Sequence, residues 1–242
     1  MKKLKILAGI ALVGMMAVAC TELQQVAGDV LTTPSGEKPL TNDEVISGLK
    51  EALTVGAKNS VSLTSAVDGF NGNSLIRIPF PPEAEKVRTK ALELGLDEQV
   101  QKFELTLNRA AEAASKEAVP IFVDAIKGMS IGDGFAILRG EDNAATNYLR
   151  EKTSAQLMEK FRPVVNNATQ QVELTKYWNP IITTYNKIPF VEKQNPDLDA
   201  YVTERAMAGL FTMVEKEEKK IRDNPAARVS DILKKVFGSL DK

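Results

Sequence analysis

The chain has 242 residues, 31 Lys and Arg against 32 Asp and Glu, one cysteine and no histidine. Without histidine, Ser-His-Asp and Cys-His catalysis and His-ligated zinc or copper sites are excluded for this sequence. Lys2, Lys3 and Lys5 precede any acid, so the chain from Cys20 onward holds 28 bases and 32 acids, a balance of −4. A weakly acidic surface without a basic patch argues against nucleic acid as a partner and against broad adhesion to anionic lipid.

The three lysines are followed by an apolar stretch from Ile6 to Ala19. It is too short to cross a bilayer stably but suits the core of a signal peptide. Ala17, Val18 and Ala19 lead directly into Cys20. This arrangement resembles a lipobox, with Ala17 where leucine is usual, and implies cleavage of residues 1–19 and a lipid on Cys20. The other reading is an ordinary secretory signal with a cysteine at the cut site by chance; the lipid is the expectation. Acylation of Cys20 would leave no thiol for disulfides, thiolate catalysis or iron–sulfur ligation. Two or three acyl chains anchor firmly where one binds reversibly. Thr21 rather than Asp after the cysteine resembles lipoproteins sorted to the outer membrane, so the expected location is the cell envelope, on the periplasmic face of that membrane in a Gram-negative host. Residues 20–40 read as a tether, with Thr33-Pro34-Ser35-Gly36 breaking any helix.

Residues 41–242 read as a single all-α domain, an irregular compact multi-helix bundle. Thr41 and Glu44 have capping-box spacing, and Leu49, Ala52, Leu53, Gly56 and Ala57 line one helical face toward Val61. Asp68-Gly69-Phe70-Asn71-Gly72-Asn73 predicts a stop, and Ile76-Arg77-Ile78-Pro79-Phe80-Pro81-Pro82 an extended stretch, because proline holds its predecessor out of the helical region. Pro82 can open the next helix. Asp97 begins a strong stripe through Val100, Phe103, Leu107, Ala111, Ala114 and Ala118, which Pro120 should divide near Lys116. A segment from Ile121 to Lys127 follows, then a short helix capped by Ser130 with Phe135 and Leu138 inward, and another from Ala144 to Arg150. Leu157, Phe161, Val164, Val165, Ala168 and Val172 mark a separate long helix with a kink at Pro163. A short helix spans Trp178 to Tyr185. Pro196 precedes a helix carrying Leu198, Val202, Ala206, Leu210, Met213 and Ile221. The last starts at Asn224-Pro225 and buries Val229, Leu233, Val236 and Phe237. No segment shows sustained alternation with a period of two, and the seven or so helices lack heptad regularity, which favours an irregular bundle over a coiled coil.

Several ordered words along the domain form a pattern: Gly48-Leu49-Lys50-Glu51-Ala52-Leu53, Asp68-Gly69-Phe70, Ile76-Arg77-Ile78-Pro79 and Asn108-Arg109-Ala110-Ala111-Glu112. Phe122-Val123-Asp124-Ala125-Ile126, Ala144-Ala145-Thr146 with Tyr148, Asp199-Ala200-Tyr201-Val202, Gly209-Leu210-Phe211, Glu218 with Ile221-Arg222, and Lys235-Val236-Phe237-Gly238 continue it. In this order they resemble the uncharacterised bacterial family catalogued as domain of unknown function 4197. Gly134 departs from it, since the family more often has Ala after Asp133, and a loosened short helix is expected there. The resemblance implies kinship and an envelope location but no reaction.

The candidate site residues are Asp68, Arg77, Asn108, Arg109, Glu112 and Asp124. Asn108 lies beside the apolar stripe, and Arg109 and Glu112 are three apart, within reach of an ion pair. They make either a ligand-binding or acid/base cluster, joined by Asp124 from beyond Pro120, or a polar network that fixes helix register; the network is the expectation. Asp68, Asn71 and Asn73 offer oxygens to a cation, but without EF-hand spacing, and a self-capping turn is favoured. Arg77 either binds an anion or pins the loop by pairing with Asp68 or a neighbouring acid, and pinning is favoured. Glu215 through Lys220 reads as a solvated face. Tyr177, Trp178 and Tyr185 read as packing rather than a sugar platform.

No cofactor and no metal site is expected. The leading functional expectation is a non-enzymatic, lipid-anchored module that binds an envelope protein or a small ligand. The alternatives are a hydrolase of envelope glycan using Glu112 and Asp124, and a carrier of apolar ligands in a cavity between helices.

Overall fold

The computed structural model describes residues 41–171, 183, 186–187, 189–190, 193, 197–224 and 234–236. The leader with Cys20, the tether, the aromatic segment from Tyr177 to Trp178, Tyr185 and most of the C-terminal helix expected from Asn224 lie outside the described residues.

Helix α1 covers Asn42–Ser65, and its capping box forms as the sequence predicts: Thr41 Oγ1 accepts from the Glu44 amide while Glu44 accepts from the Thr41 amide. The chain then crosses to Pro82–Ala84, a 3₁₀ turn that leads into α2, Glu85–Glu93. Helix α3 is Asp97–Ser115 and α4 is Ala118–Lys127, separated where Pro120 was expected to divide them. Pro120 sits in the first turn of α4, where its missing amide removes no intrahelical bond. Helix α5, Ile131–Arg139, starts with a second capping box, Ser130 with Asp133.

The segments predicted as two helices, from Ala144 and around Leu157, are one helix: α6, Ala144–Thr169. The join reflects Thr153. It fills the gap in the stripe between buried Leu149 and Leu157, and its hydroxyl returns a 2.6 Å bond to the Leu149 carbonyl. The helix also continues through Pro163, which lies on the exposed side, where water can solvate the carbonyl one turn back. Helix α7, Leu198–Asp223, is N-capped by Asp197, which accepts from the Ala200 amide. No strand occurs among the described residues.

Helices α1, α3, α6 and α7 pack on one another, α4 covers the α1 and α6 side, α5 joins α1 to the start of α6, and α2 lies outside against α3. Phe70, Phe103, Phe122, Phe161 and Phe211 are fully or almost fully buried, each contributing about 1.5–3 kcal/mol by transfer from water. Phe70 belongs to no helix. It comes from the connection between α1 and the 3₁₀ turn, together with buried Ile76, Ile78 and Phe80. That connection is a structural layer of the core. A smaller second cluster joins Val45, Leu49 and Ala52 to Ile137, Leu138, Ala145, Ile221 and Val236.

Gly134 does not interrupt α5. The helix is complete, and a Cβ there would stand 2.2 Å from Ile46 Cδ1, so the missing side chain is what lets α5 approach α1. Gly209 has the same role more stringently: its Cβ would meet Phe70 Cε1 at 2.6 Å and Ile76 Cβ at 3.1 Å.

Candidate functional site

The connection after α1 buries four large apolar side chains without a helix to satisfy its backbone, so its amides and carbonyls need partners elsewhere. Helix α3 supplies them. Asn108 is fully buried. Its Oδ1 accepts from the Ile78 amide at 2.8 Å and its Nδ2 donates to the Ile78 carbonyl at 2.8 Å and to the Glu104 carbonyl at 2.8 Å. One side chain thereby imitates a strand pairing with a single residue. One turn on, Glu112 is almost as buried. Its Oε1 accepts from the Phe70 amide at 3.1 Å and the Asn71 amide at 3.3 Å, while Oε2 takes the Arg109 guanidinium at 2.6 Å.

Arg109 links this buried carboxylate to the surface, since its second Nη donates to Asp68 Oδ1 at 2.9 Å. Asp68 has a left-handed backbone, φ 64°, a conformation Asp tolerates better than most residues. The Asn71 amide group donates to its carboxylate at 3.0 Å and the Gly72 amide to its carbonyl at 2.8 Å. The Asn71 bond first, and then Arg109, hold the Asp68 carboxyl below its ordinary pKa. The bond to Glu112 holds the Arg109 pKa above its usual value. The Asp68–Asn73 loop is therefore the self-capping turn expected, and Asn73 completes it by accepting from the Leu75 amide at 3.1 Å.

Asp68, Asn108, Arg109 and Glu112 form one constellation; Arg77 and Asp124 do not join it. Arg77 pins the connection, but through Glu104 at 3.4 Å rather than through Asp68. Period-two geometry explains the exchange: Ile76 and Ile78 are buried, so Arg77 faces outward toward the exposed side of α3, where Glu104 also receives Arg88 at 3.1 Å. Asp124 points to solvent on α4 and approaches Lys127 at 3.8 Å, with a side chain 73% exposed. Pro120 starts a new helix rather than bending α3, so the expected route from Asp124 to Glu112 is lost.

A second staple lies in the run expected to be a solvated face. Glu217 and Glu218 are buried. Glu218 on α7 accepts from the Ala145 amide at 3.0 Å and from the Thr146 amide and hydroxyl at 2.8 Å. It therefore caps α6, whose own Asn143 provides no capping bond. Arg222, one turn on, pairs with Glu218 at 2.9 Å and donates to the Ile137 carbonyl at 2.8 Å. Glu217 accepts from Asn59 of α1 at 2.9 Å. The signal was present: Glu217 and Glu218 fall three and four residues after Val214, and Ile221 three or four after them, inside the apolar stripe. A third contact closes the other end of α6, where Asp199 accepts from Asn166 and from the Thr169 hydroxyl.

Among the described residues no three His, Cys, Asp or Glu side chains converge to hold a metal ion, and no helix is long and apolar enough to cross a membrane. The geometry defines an all-α domain in which the buried Asn108, Glu112 and Glu218 hold the chain's own backbone amides. The chain belongs to the family described as "Protein of unknown function (DUF4197)", whose model matches residues 39–238. No curated protein and no solved structure matches the chain.

Proposed function

We propose that the protein is a lipid-anchored envelope module that acts by binding a partner protein through the outside of its helical body, without catalysing a reaction. The observation that carries this reading is the occupancy of Glu112. Its oxygens are engaged by two backbone amides and Arg109, and it is buried. A general acid or nucleophile must reach a substrate atom, whereas this carboxylate faces the chain's own loop. Asn108 and Glu218 are committed in the same way. The anchor rests on the sequence: three lysines, the apolar stretch and small residues before Cys20. A domain held at a membrane gains effective concentration toward partners in the same envelope, which gives a tether a purpose even for weak docking.

The anchor is tested by expressing the full chain and its Cys20→Ala variant in a Gram-negative host and following both through detergent phase partitioning. The wild type is expected in the detergent phase and the variant in the aqueous phase. Equal partitioning of the two would sink the anchor. Partner binding is tested by crosslinking in cells with identification of the adducts; absence of any protein adduct across the exposed surface would sink that half of the reading.

A further inference from the structure

The polar staples face inward; one outward surface among the described residues has a different character. Helices α1 and α4 lie side by side and leave an open groove of about 490 Å³ between them. Its floor is aliphatic, made by half-buried Val55 of α1 and Val123 of α4 over the core residue Ile126, which is itself almost fully buried. Three lysines rim it: Lys50 and Lys58 on one wall and Lys127 on the other, with Glu51 as the single acid in the lining. From Cys20 onward acids outnumber bases by 32 to 28, so a rim of three cations against one anion runs counter to the rest of the surface.

The lysines are only partly spent. Lys50 donates to the Lys127 carbonyl at 2.9 Å, a neutral acceptor that leaves its charge uncompensated. Lys127 has Asp124 at 3.8 Å, with both side chains about three-quarters exposed, a separation and exposure at which pairing contributes little. Lys58 has no ion-pair partner among the described residues. The rim from Lys50 to Lys58 runs along eight residues, about 12 Å of helix, or roughly two turns of any helix laid parallel to α1.

We propose that this groove is the docking site of the module, and that its occupant is an amphipathic helix of a partner protein with an apolar face flanked by acids. The inference rests on the partner-binding reading above and specifies its surface and partner chemistry. An aliphatic floor between two helices takes side chains at i, i+3, i+4 and i+7 of a third helix. The lysine rims select acidic flanks, speed encounter and reject basic helices. An anionic lipid surface shares the charge but not the shape, because a groove between helices is concave toward its ligand and a bilayer is flat.

The test uses the full-length chain in cells with a photocrosslinking benzoylphenylalanine at Thr54, which lines the groove, or at exposed Glu215 on α7 as the control. Adducts are isolated, digested and mapped by mass spectrometry. The expected result is a protein adduct from position 54 whose mapped segment is amphipathic with acidic flanks. Its yield should fall at least tenfold in the Lys50→Glu, Lys58→Glu double variant, whose helicity and melting are checked by circular dichroism. Reversing the acids of the mapped segment to lysine should restore the adduct in that double variant. Mapped protein adducts only from position 215 would overturn the groove while leaving partner binding in place. A phospholipid mass on position 54 would overturn the helical occupant. No protein adduct from either position, nor from others scanned across the surface, would overturn both the groove and the reading on which it rests.

Discussion

Replacing Glu112 with Gln separates a structural carboxylate from a chemical one. The amide oxygen can still accept from Phe70 and Asn71, at 3.1 and 3.3 Å in the parent. The new amide nitrogen then faces the Arg109 guanidinium at the position of a 2.6 Å bond, donor against donor. Breaking a buried ion pair costs about 3–5 kcal/mol when the survivor stays buried. Arg109 is not trapped: its side chain is 37% exposed and already reaches Asp68, so it turns outward and recovers solvent. The expected loss is therefore nearer that of one charge-assisted hydrogen bond, about 2 kcal/mol. With a urea m-value of about 2–3 kcal/mol/M, the midpoint should fall by roughly 0.7–1 M at unchanged slope. A double-mutant cycle with Arg109→Met should return a coupling of about 1–2 kcal/mol, because the two side chains are in direct contact. An unchanged midpoint, together with loss of partner crosslinking in cells, would refute the structural assignment and return Glu112 to the list of functional groups.

Asn108→Leu should be more severe, since it strands the buried amide and carbonyl of Ile78; about 2–5 kcal/mol is expected from two unsatisfied groups, read by urea denaturation. Gly209→Ala should cost about 1–3 kcal/mol by overpacking against the Phe70 ring. Gly134→Ala should stay within about 1 kcal/mol of the parent, because Ile46 Cδ1 is the movable end of a side chain and alanine gains about 1 kcal/mol of helix propensity; calorimetry on the pair distinguishes rigid from yielding neighbours. Asp68 has a depressed pKa in the folded state, so its contribution is present above the ordinary carboxylate range and is lost as pH falls through the folded value. Acid titration of stability should therefore be shallower in Asp68→Asn than in the parent, with the two curves converging at the acid end.

Much of the architecture was legible because local chemistry specifies it. The Thr41 and Ser130 caps, the Pro120 break and the apolar stripes each act within a few residues of their own position. The single helix at Ala144–Thr169 is hidden in the sequence because Thr153 counts as polar by type, while its hydroxyl is satisfied by its own helix. The same limit applied at the site. Asn108, Arg109 and Glu112 stand out as polar residues beside an alanine-rich face, but Asn108 and Glu112 hold backbone amides of Ile78, Phe70 and Asn71, 30 to 42 residues away in sequence, and Arg109 pairs with the Glu112 and Asp68 carboxylates. Backbone groups carry no residue signature, so nothing in the sequence distinguished a loop clamp from a ligand site. Asp124 and Arg77 were drawn into the cluster by nearness in sequence and by charge, and the start of a new helix and the outward face of the connection separated them. Charged neighbours mask Glu218 in the sequence, although its spacing from Val214 and Ile221 marks it as inward.

Amide hydrogen exchange at Phe70, Asn71 and Ile78 tests most directly whether these polar residues serve the fold. All three amides are bonded to α3 side chains within a core layer, so they should exchange only through global unfolding, with the same free energy as the slowest amides of α3. Glu112→Ala, which removes the acceptor, should lower Phe70 and Asn71 together and leave Ile78 at the new global value. Fast exchange at all three in the parent, several kcal/mol below the global limit, would show a cluster that opens in the native state and would contradict the account.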